Sequence, residues 1–219
     1  MFKIFLLVCL LVSIASSALA FDSGSYPYVG INLGSPLTSI NKMSDTTGTL
    51  ETDFNPGYMA GLVAGLSFEA VQRWNIERIR AEAEVGYRSS ELLRVKGSQG
   101  LSTNMSGSLT VTNYMLNGYL DNTSAFTKEV PVSLFISAGA GVAVASISSI
   151  VYQGATLAKS AQNTQLAYQG GAGIGYELTK LFGIDVTYKY LGTTPFKFAG
   201  VKAEYGSHNI MFGAKYSFK

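Results

Sequence analysis

The chain has 219 residues, with 16 Lys and Arg against 14 Asp and Glu, one His and one Cys, for a formal net charge of +2. So even a balance gives no sign of a nucleic-acid surface built on bulk positive charge, and Cys9 alone cannot make a disulfide framework or a thiolate metal site. Twenty-four glycines, 13 tyrosines and 12 phenylalanines beside one tryptophan describe a Gly- and aromatic-rich β protein, of a length that suits one domain.

Lys3, an uncharged apolar run from Ile4 to Ile14 and then Ala18-Leu19-Ala20 have the order of a secretory signal ending at residue 20, which leaves 21–219 as a single barrel domain. The apolar run is shorter than the roughly 20 residues of a spanning helix, and no later run is long enough. A membrane-integral mature chain must therefore be a closed barrel, since lipid offers open strand edges no partner.

Eight segments alternate with a period of two. Their more apolar faces carry Val29, Ile31 and Leu33 in the first, and Tyr58, Ala60, Leu62, Ala64, Leu66 and Phe68 in the second. The third, residues 78 to 88, sets Ile79, Ala81, Ala83, Val85 and Tyr87 against Arg78, Arg80, Glu82, Glu84, Gly86 and Arg88. The fourth shows Thr112, Tyr114, Leu116, Gly118 and Leu120; the fifth, Leu134, Ile136, Ala138, Ala140, Val142 and Val144. The sixth shows Leu166, Tyr168, Gly170, Ala172, Ile174 and Tyr176, and the seventh Ile184, Val186, Tyr188 and Tyr190. The eighth carries His208, Ile210, Phe212, Ala214, Tyr216 and Phe218.

None of these faces holds a charged residue, whereas the opposite faces hold Glu69, Arg78, Arg80, Glu82, Glu84, Arg88, Glu177, Asp185, Lys189 and Lys215. A lipid-facing Arg or Lys at mid-bilayer costs about 2–4 kcal/mol, so the pattern predicts an all-β, eight-stranded antiparallel up-and-down transmembrane barrel of a Gram-negative outer membrane. Long connections at 35–57, 89–108, 146–162 and 192–206 are expected to be extracellular loops, and shorter ones at 70–77, 121–131 and 178–182 periplasmic turns. In that orientation Phe68, Tyr176, Tyr216 and Phe218 fall at the periplasmic interface, and Tyr58, Tyr87, Tyr168 and Tyr190 near the extracellular one, where amphipathic rings belong.

Residues Gly171 to Leu191, together with Tyr28-Val-Gly-Ile-Asn-Leu-Gly34, Tyr114 to Asp121 and Val132 to Val144, resemble the opacity-protein and surface-antigen family of eight-stranded outer-membrane barrels. The last strand, with Phe212, Tyr216 and Phe218, resembles the aromatic signal read by the barrel-assembly machinery, but departs from it by ending on Lys219. The resemblance implies a protein embedded in outer-membrane lipid and presenting four loops, as a surface antigen or adhesin with a host-surface ligand.

The ten inward charges are five of each sign, which suggests a salt-bridged plug in a bore just wide enough for side chains. The alternative is a small porin-like diffusion channel, with inward Gly61, Gly65, Gly139, Gly141, Gly171, Gly173 and Gly175 leaving either room for the arginines or a water-filled pocket. Glu82 and Glu84 share a face, but neighbouring arginines would keep both ionised, so they do not read as an acid/base pair. Phosphate-loop, dinucleotide, metalloprotease and metal-cluster spacings are all missing, so no cofactor is expected. His208 follows Ser207, but adjacent strand residues point to opposite faces, which argues against a catalytic pair and leaves an interfacial histidine. The loops contain Leu37, Ile40, Leu50, Phe54, Leu92, Leu93 and Leu101, which imply either a partner or strand continuing above the membrane.

Overall fold

The computed structural model describes residues 25–218 apart from 46–47, 55, 74–75, 97–101, 105–106, 123–130, 149, 153–154, 159 and 199–200. Residues 1–20, read above as a signal, lie outside that set, as do Leu101 and Lys219.

Alternating β-branched, aromatic and small residues fit a pleated surface, and eight such runs form the wall. They are β1 (Ser25–Asp45), β2 (Tyr58–Arg73), β3 (Ile76–Lys96), β4 (Ser108–Asn122), β5 (Val132–Ile147), β6 (Ala161–Glu177), β7 (Phe182–Thr193) and β8 (Val201–Ser217). Each pairs antiparallel with its chain neighbour. Closure comes from β1 against β8, with Tyr28 opposite Ser217 and Gly34 opposite Met211. Gly34 is required there, because a Cβ would collide with the Ile210 carbonyl and the Met211 Cα. The β6–β7 connection is tight: Thr179 Oγ1 accepts from the Leu181 and Phe182 amides at 3.2 and 3.0 Å.

The fold is inside out. Leu116, Leu166 and Phe212 are 72%, 66% and 64% exposed, and Ile31, Leu33, Leu62, Ile136, Ile174 and Val186 join them on the outer wall. Arg80, Glu82, Glu84, Arg88, Asp121, Asp185 and Lys189 are buried in the bore.

Five of the seven inward glycines are covered by a neighbouring side chain, while Gly175 lines a cavity at one mouth of the barrel. The Tyr28 ring packs on Gly65, Asn117 on Gly139, Met115 on Gly141, Lys189 on Gly171 and Phe135 on Gly173, each filling the space a Cβ would take. Glycine here trades its own side chain for a larger one from the neighbouring strand.

The expected loop boundaries need correction. β1 and β3 are each 21 residues long, where a tilted spanning strand needs about 9–11, so both continue far above the lipid. Gly48–Phe54 pairs with Ile40–Asp45 on one side and with Leu92–Lys96 on the other, and Ser102–Asn104 and Phe196–Phe198 extend β3 and β8. Residues 35–45, 48–54 and 89–96 are therefore strand, which places Ile40, Leu50, Phe54, Leu92 and Leu93 in the paired extension. Alternation fades there because water, unlike lipid, does not demand it.

Gly65→Val and Gly171→Val should each lower the unfolding free energy by about 1–3 kcal/mol through overpacking. Gly118→Val, outward with nothing near its added Cβ, should cost little. Urea unfolding in liposomes measures all three.

Candidate functional site

Inside the barrel the chemistry changes along the axis. At the periplasmic mouth a cavity of about 140 Å³ is lined by Tyr28, Glu69, Arg78, Glu177 and Lys215, among others. Glu69 is exposed on its rim, opposite Arg78 in the sheet, and takes no part in the ion pairs described below. Arg78 bridges two acids, Nε to Asp121 at 2.7 Å and Nη1 to Glu177 at 2.6 Å.

Deeper in, the groups are more buried, with Arg80, Asp185 and Lys215 forming the inner lining of the same cavity. Arg80 grips Asp121 with both Nε and Nη2, at 2.8 and 2.9 Å, and lies over the Tyr119 ring at 4.2 Å and the Phe135 ring at 5.1 Å. The bidentate fork fixes its orientation, and the ring faces replace part of its lost hydration. Lys215 pairs with Asp185 at 2.6 Å, and Thr187 donates to the same carboxylate at 2.8 Å.

Glu84 is the hub. Its Oε2 takes Lys189 Nζ at 2.8 Å, Gln169 Nε2 at 3.0 Å and Asn117 Nδ2 at 3.1 Å, and its Oε1 takes Asn113 Nδ2 at 3.3 Å. Four donors match the acceptor capacity of one carboxylate, which is the condition under which a buried ion pair is tolerated. Glu82 is held differently, by the hydroxyls of Tyr119 at 2.7 Å and Tyr28 at 3.0 Å.

Toward the extracellular end the bore turns apolar. Leu109, Val111, Met115, Ala143, Ala145, Ala167, Leu191 and Tyr205 pack together there. Arg88 reaches toward this layer and is 1% exposed, yet only its Nη1 is bonded, to Asn113 Oδ1 at 2.5 Å. Its Nε and Nη2 have no partner.

The structure thus brings nine of the ten inward charges into or beside one lattice and leaves Glu69 at the rim. Asp121 is a lattice member that the sequence reading placed in a turn, although the alternation through Leu116, Gly118 and Leu120 makes the next residue inward. Tyr28, Asn113, Asn117, Tyr119 and Gln169 complete the lattice as neutral donors, which carry no charge signal in the sequence.

On the outer wall, Phe212, Tyr216 and Phe218 all face out, and the last two rings meet edge to face at 5.1 Å. The Phe218 amide donates to the Pro27 carbonyl at 2.8 Å and ties the end of the last strand to the start of the first. Ser207 is fully buried and bonded to Asn209 at 2.9 Å, on the face opposite His208.

Glu84→Gln leaves the Lys189 ammonium buried without its counter-charge and should cost about 3–5 kcal/mol. Arg88→Met removes a cation with two unmet donors and should be neutral or stabilising. Denaturant melts of the two variants against the parent check this, and equal losses would sink it.

The profile of the outer membrane protein beta-barrel domain family matches residues 5–218. Outer membrane protein PagN of Salmonella typhimurium strain LT2 is 34% identical over 93 residues, 40% of this chain and 36% of that protein. That match spans about a third of the relative's length. Among solved structures, Neisserial surface protein A is 17% identical, with 90% of this chain and all of that one covered at a TM-score of 0.51. Ail, the attachment invasion locus protein of Yersinia pestis, is 18% identical, with 88% and 99% covered at a TM-score of 0.41.

Proposed function

Because this chain belongs to the outer membrane protein β-barrel domain family, we propose that its barrel is a sealed anchor in the outer membrane and that its extracellular strands and loops form an adhesive surface for a host-cell ligand. The observation that carries this is the closed bore. A solute would have to pass the Glu84 lattice and then the apolar layer from Leu109 to Tyr205, and Gly65, Gly139, Gly141, Gly171 and Gly173 are covered by neighbouring side chains. No catalytic role is part of this reading, since Glu84, Asp121 and Asp185 are committed to Lys, Arg, amide and hydroxyl partners, Glu82 is held by two tyrosine hydroxyls, and Ser207 and His208 face apart.

The extracellular sheet supports it from the other side. Backbone pairing of Gly48–Phe54 with both β1 and β3 holds the longest connection in a set geometry above the lipid, and an ordered surface binds with less entropy loss than a free loop. A diffusion channel would need the lumen instead.

Replacing residues 40–53 with a short Gly-Ser turn should abolish binding to host cells while the barrel still shows its folded, heat-sensitive gel mobility. Single-channel recordings should show no steady conductance in either form. Retained binding together with a current altered by the deletion would favour the channel.

The aromatic end of β8 is proposed to be read by the barrel-assembly machinery. Phe218→Ala should lower outer-membrane yield, and deletion of Lys219 should not; equal yields for Phe218→Ala and the parent would refute this.

A further inference from the structure

Among the described residues, Arg88 alone has two buried donors without a partner, Nε and Nη2, on a residue that is 1% exposed. These two N–H groups point the same way from one edge of the guanidinium. It is the edge with which Arg80 grips Asp121, through Nε and Nη2 at 2.8 and 2.9 Å. Arg88 thus presents a complete bidentate fork, and no carboxylate takes it. Its sheet neighbours on either side, Met59 and Val111, carry no charge. The lattice carboxylates are engaged elsewhere: Glu84 by Lys189, Glu82 by two tyrosine hydroxyls, Asp121 by Arg80 and Asp185 by Lys215.

The strand pairing leaves room beside that fork. Arg88 Nη1 is bonded to Asn113 Oδ1, and the same oxygen is the nearest atom to the point where a Cβ on Gly86 would stand. The guanidinium therefore lies at Gly86. Directly across the ladder from Gly86 is Gly61, and opposite residues of an antiparallel pair are only about 4.5–5.5 Å apart. Gly61 differs from the five inward glycines that a neighbouring side chain covers. The atoms nearest to a Cβ there are the Val85 carbonyl oxygen at 3.5 Å, the Asn32 Cβ and the Gly86 Cα, all of them parts of the wall itself. A space the size of one small side chain thus adjoins a buried cationic fork.

We propose that Gly61, Gly86 and Arg88 form an internal site for a single chloride ion, held by Arg88 Nε and Nη2. A guanidinium keeps its charge at any pH the protein meets, and the Asn113 amide does not balance it. An anion supplies both an acceptor for the two donors and a counter-charge, whereas a water supplies the acceptor alone. Room for one small side chain suits a monatomic anion and excludes sulfate or a phosphate ester. The ion is a fixed part of the plug, standing to Arg88 as Asp121 stands to Arg80.

The test uses the protein purified from outer membranes, unfolded, and refolded in detergent so that the ion enters before the wall closes. Crystals of protein refolded in sodium bromide should show the bromide anomalous signal within hydrogen-bonding reach of Arg88 Nε and Nη2. In urea melts at constant ionic strength, replacing gluconate with about 0.3 M chloride should raise the folded-to-unfolded ratio at a fixed urea concentration about tenfold, as for an ion bound only by the folded state with a dissociation constant of about 30 mM. Arg88→Met, which removes the fork, and Gly61→Val, which fills the space but keeps the cation, should each lose that dependence. Gly118→Val, on the outer wall, should keep it. A water on the fork in the bromide crystals, or an equal chloride effect in Arg88→Met and the parent, overturns the proposal. The crystals need no variant, so a folding defect in one cannot mask the outcome.

Discussion

Hydrocarbon gives a backbone amide or carbonyl nothing to bond to, and the rest of this structure follows from that constraint. It forces β1 to meet β8, which in turn requires Gly34 where a Cβ would run into the Ile210 carbonyl. Eight strands closed on themselves leave a bore only wide enough for side chains. Lipid also excludes charge from the outer face, so the ionisable residues of the spanning segments turn inward into a space where little water can follow. The ionic lattice is therefore the inner counterpart of the clean outer wall.

Confined this way, the charges settle into a gradient. Near the periplasm, where the 140 Å³ cavity admits water, Arg78 and Glu177 remain partly exposed. In the middle the pairs are more buried, and each is supported by neutral donors or ring faces. The lattice also stitches the wall across the bore: Glu84 on β3 gathers donors from β4, β6 and β7, Glu82 gathers β1 and β4, and Lys215 ties β8 to Asp185 on β7. Adjacent strands are joined by backbone bonds in any sheet, but the contacts of Glu84 with Gln169 and Lys189 and of Glu82 with Tyr28 join strands that are not neighbours. They resist flattening of the barrel, which backbone ladders alone do not.

The faces of the strands were legible in the sequence because lipid and bore impose a binary rule with a period of two, and Ile79 to Arg88 displays it without exception. Who meets whom inside was not legible, because that depends on how far each strand is sheared past the next. Equal numbers of inward acids and bases point toward mutual pairing, yet Glu82 lies against two tyrosine hydroxyls and Arg88 against one asparagine. Asp121 lies one residue past Leu120, the last apolar position of its strand, and continues the alternation as an inward acid that holds two arginines. The outward extension was hidden for a third reason. Ser-, Thr- and charge-bearing stretches such as Leu37–Phe54 look like loop, since a strand standing in water has no apolar side to advertise it.

The passage from wall to extension has a visible hinge in β1. The register against β8 slips between Pro36 and Thr38, with Leu37 as the extra, half-exposed residue. Proline has no amide hydrogen for the ladder, and a bulge is where a sheet tolerates that loss and changes twist. Below it, β1 obeys the lipid rule through Val29, Ile31 and Leu33; above it, the strand is free of that rule but still backbone-paired on both sides. The extension stands on strands whose lower halves are tied across the bore by the Glu84 lattice, so the rigidity of the interior is passed to the sheet above the membrane.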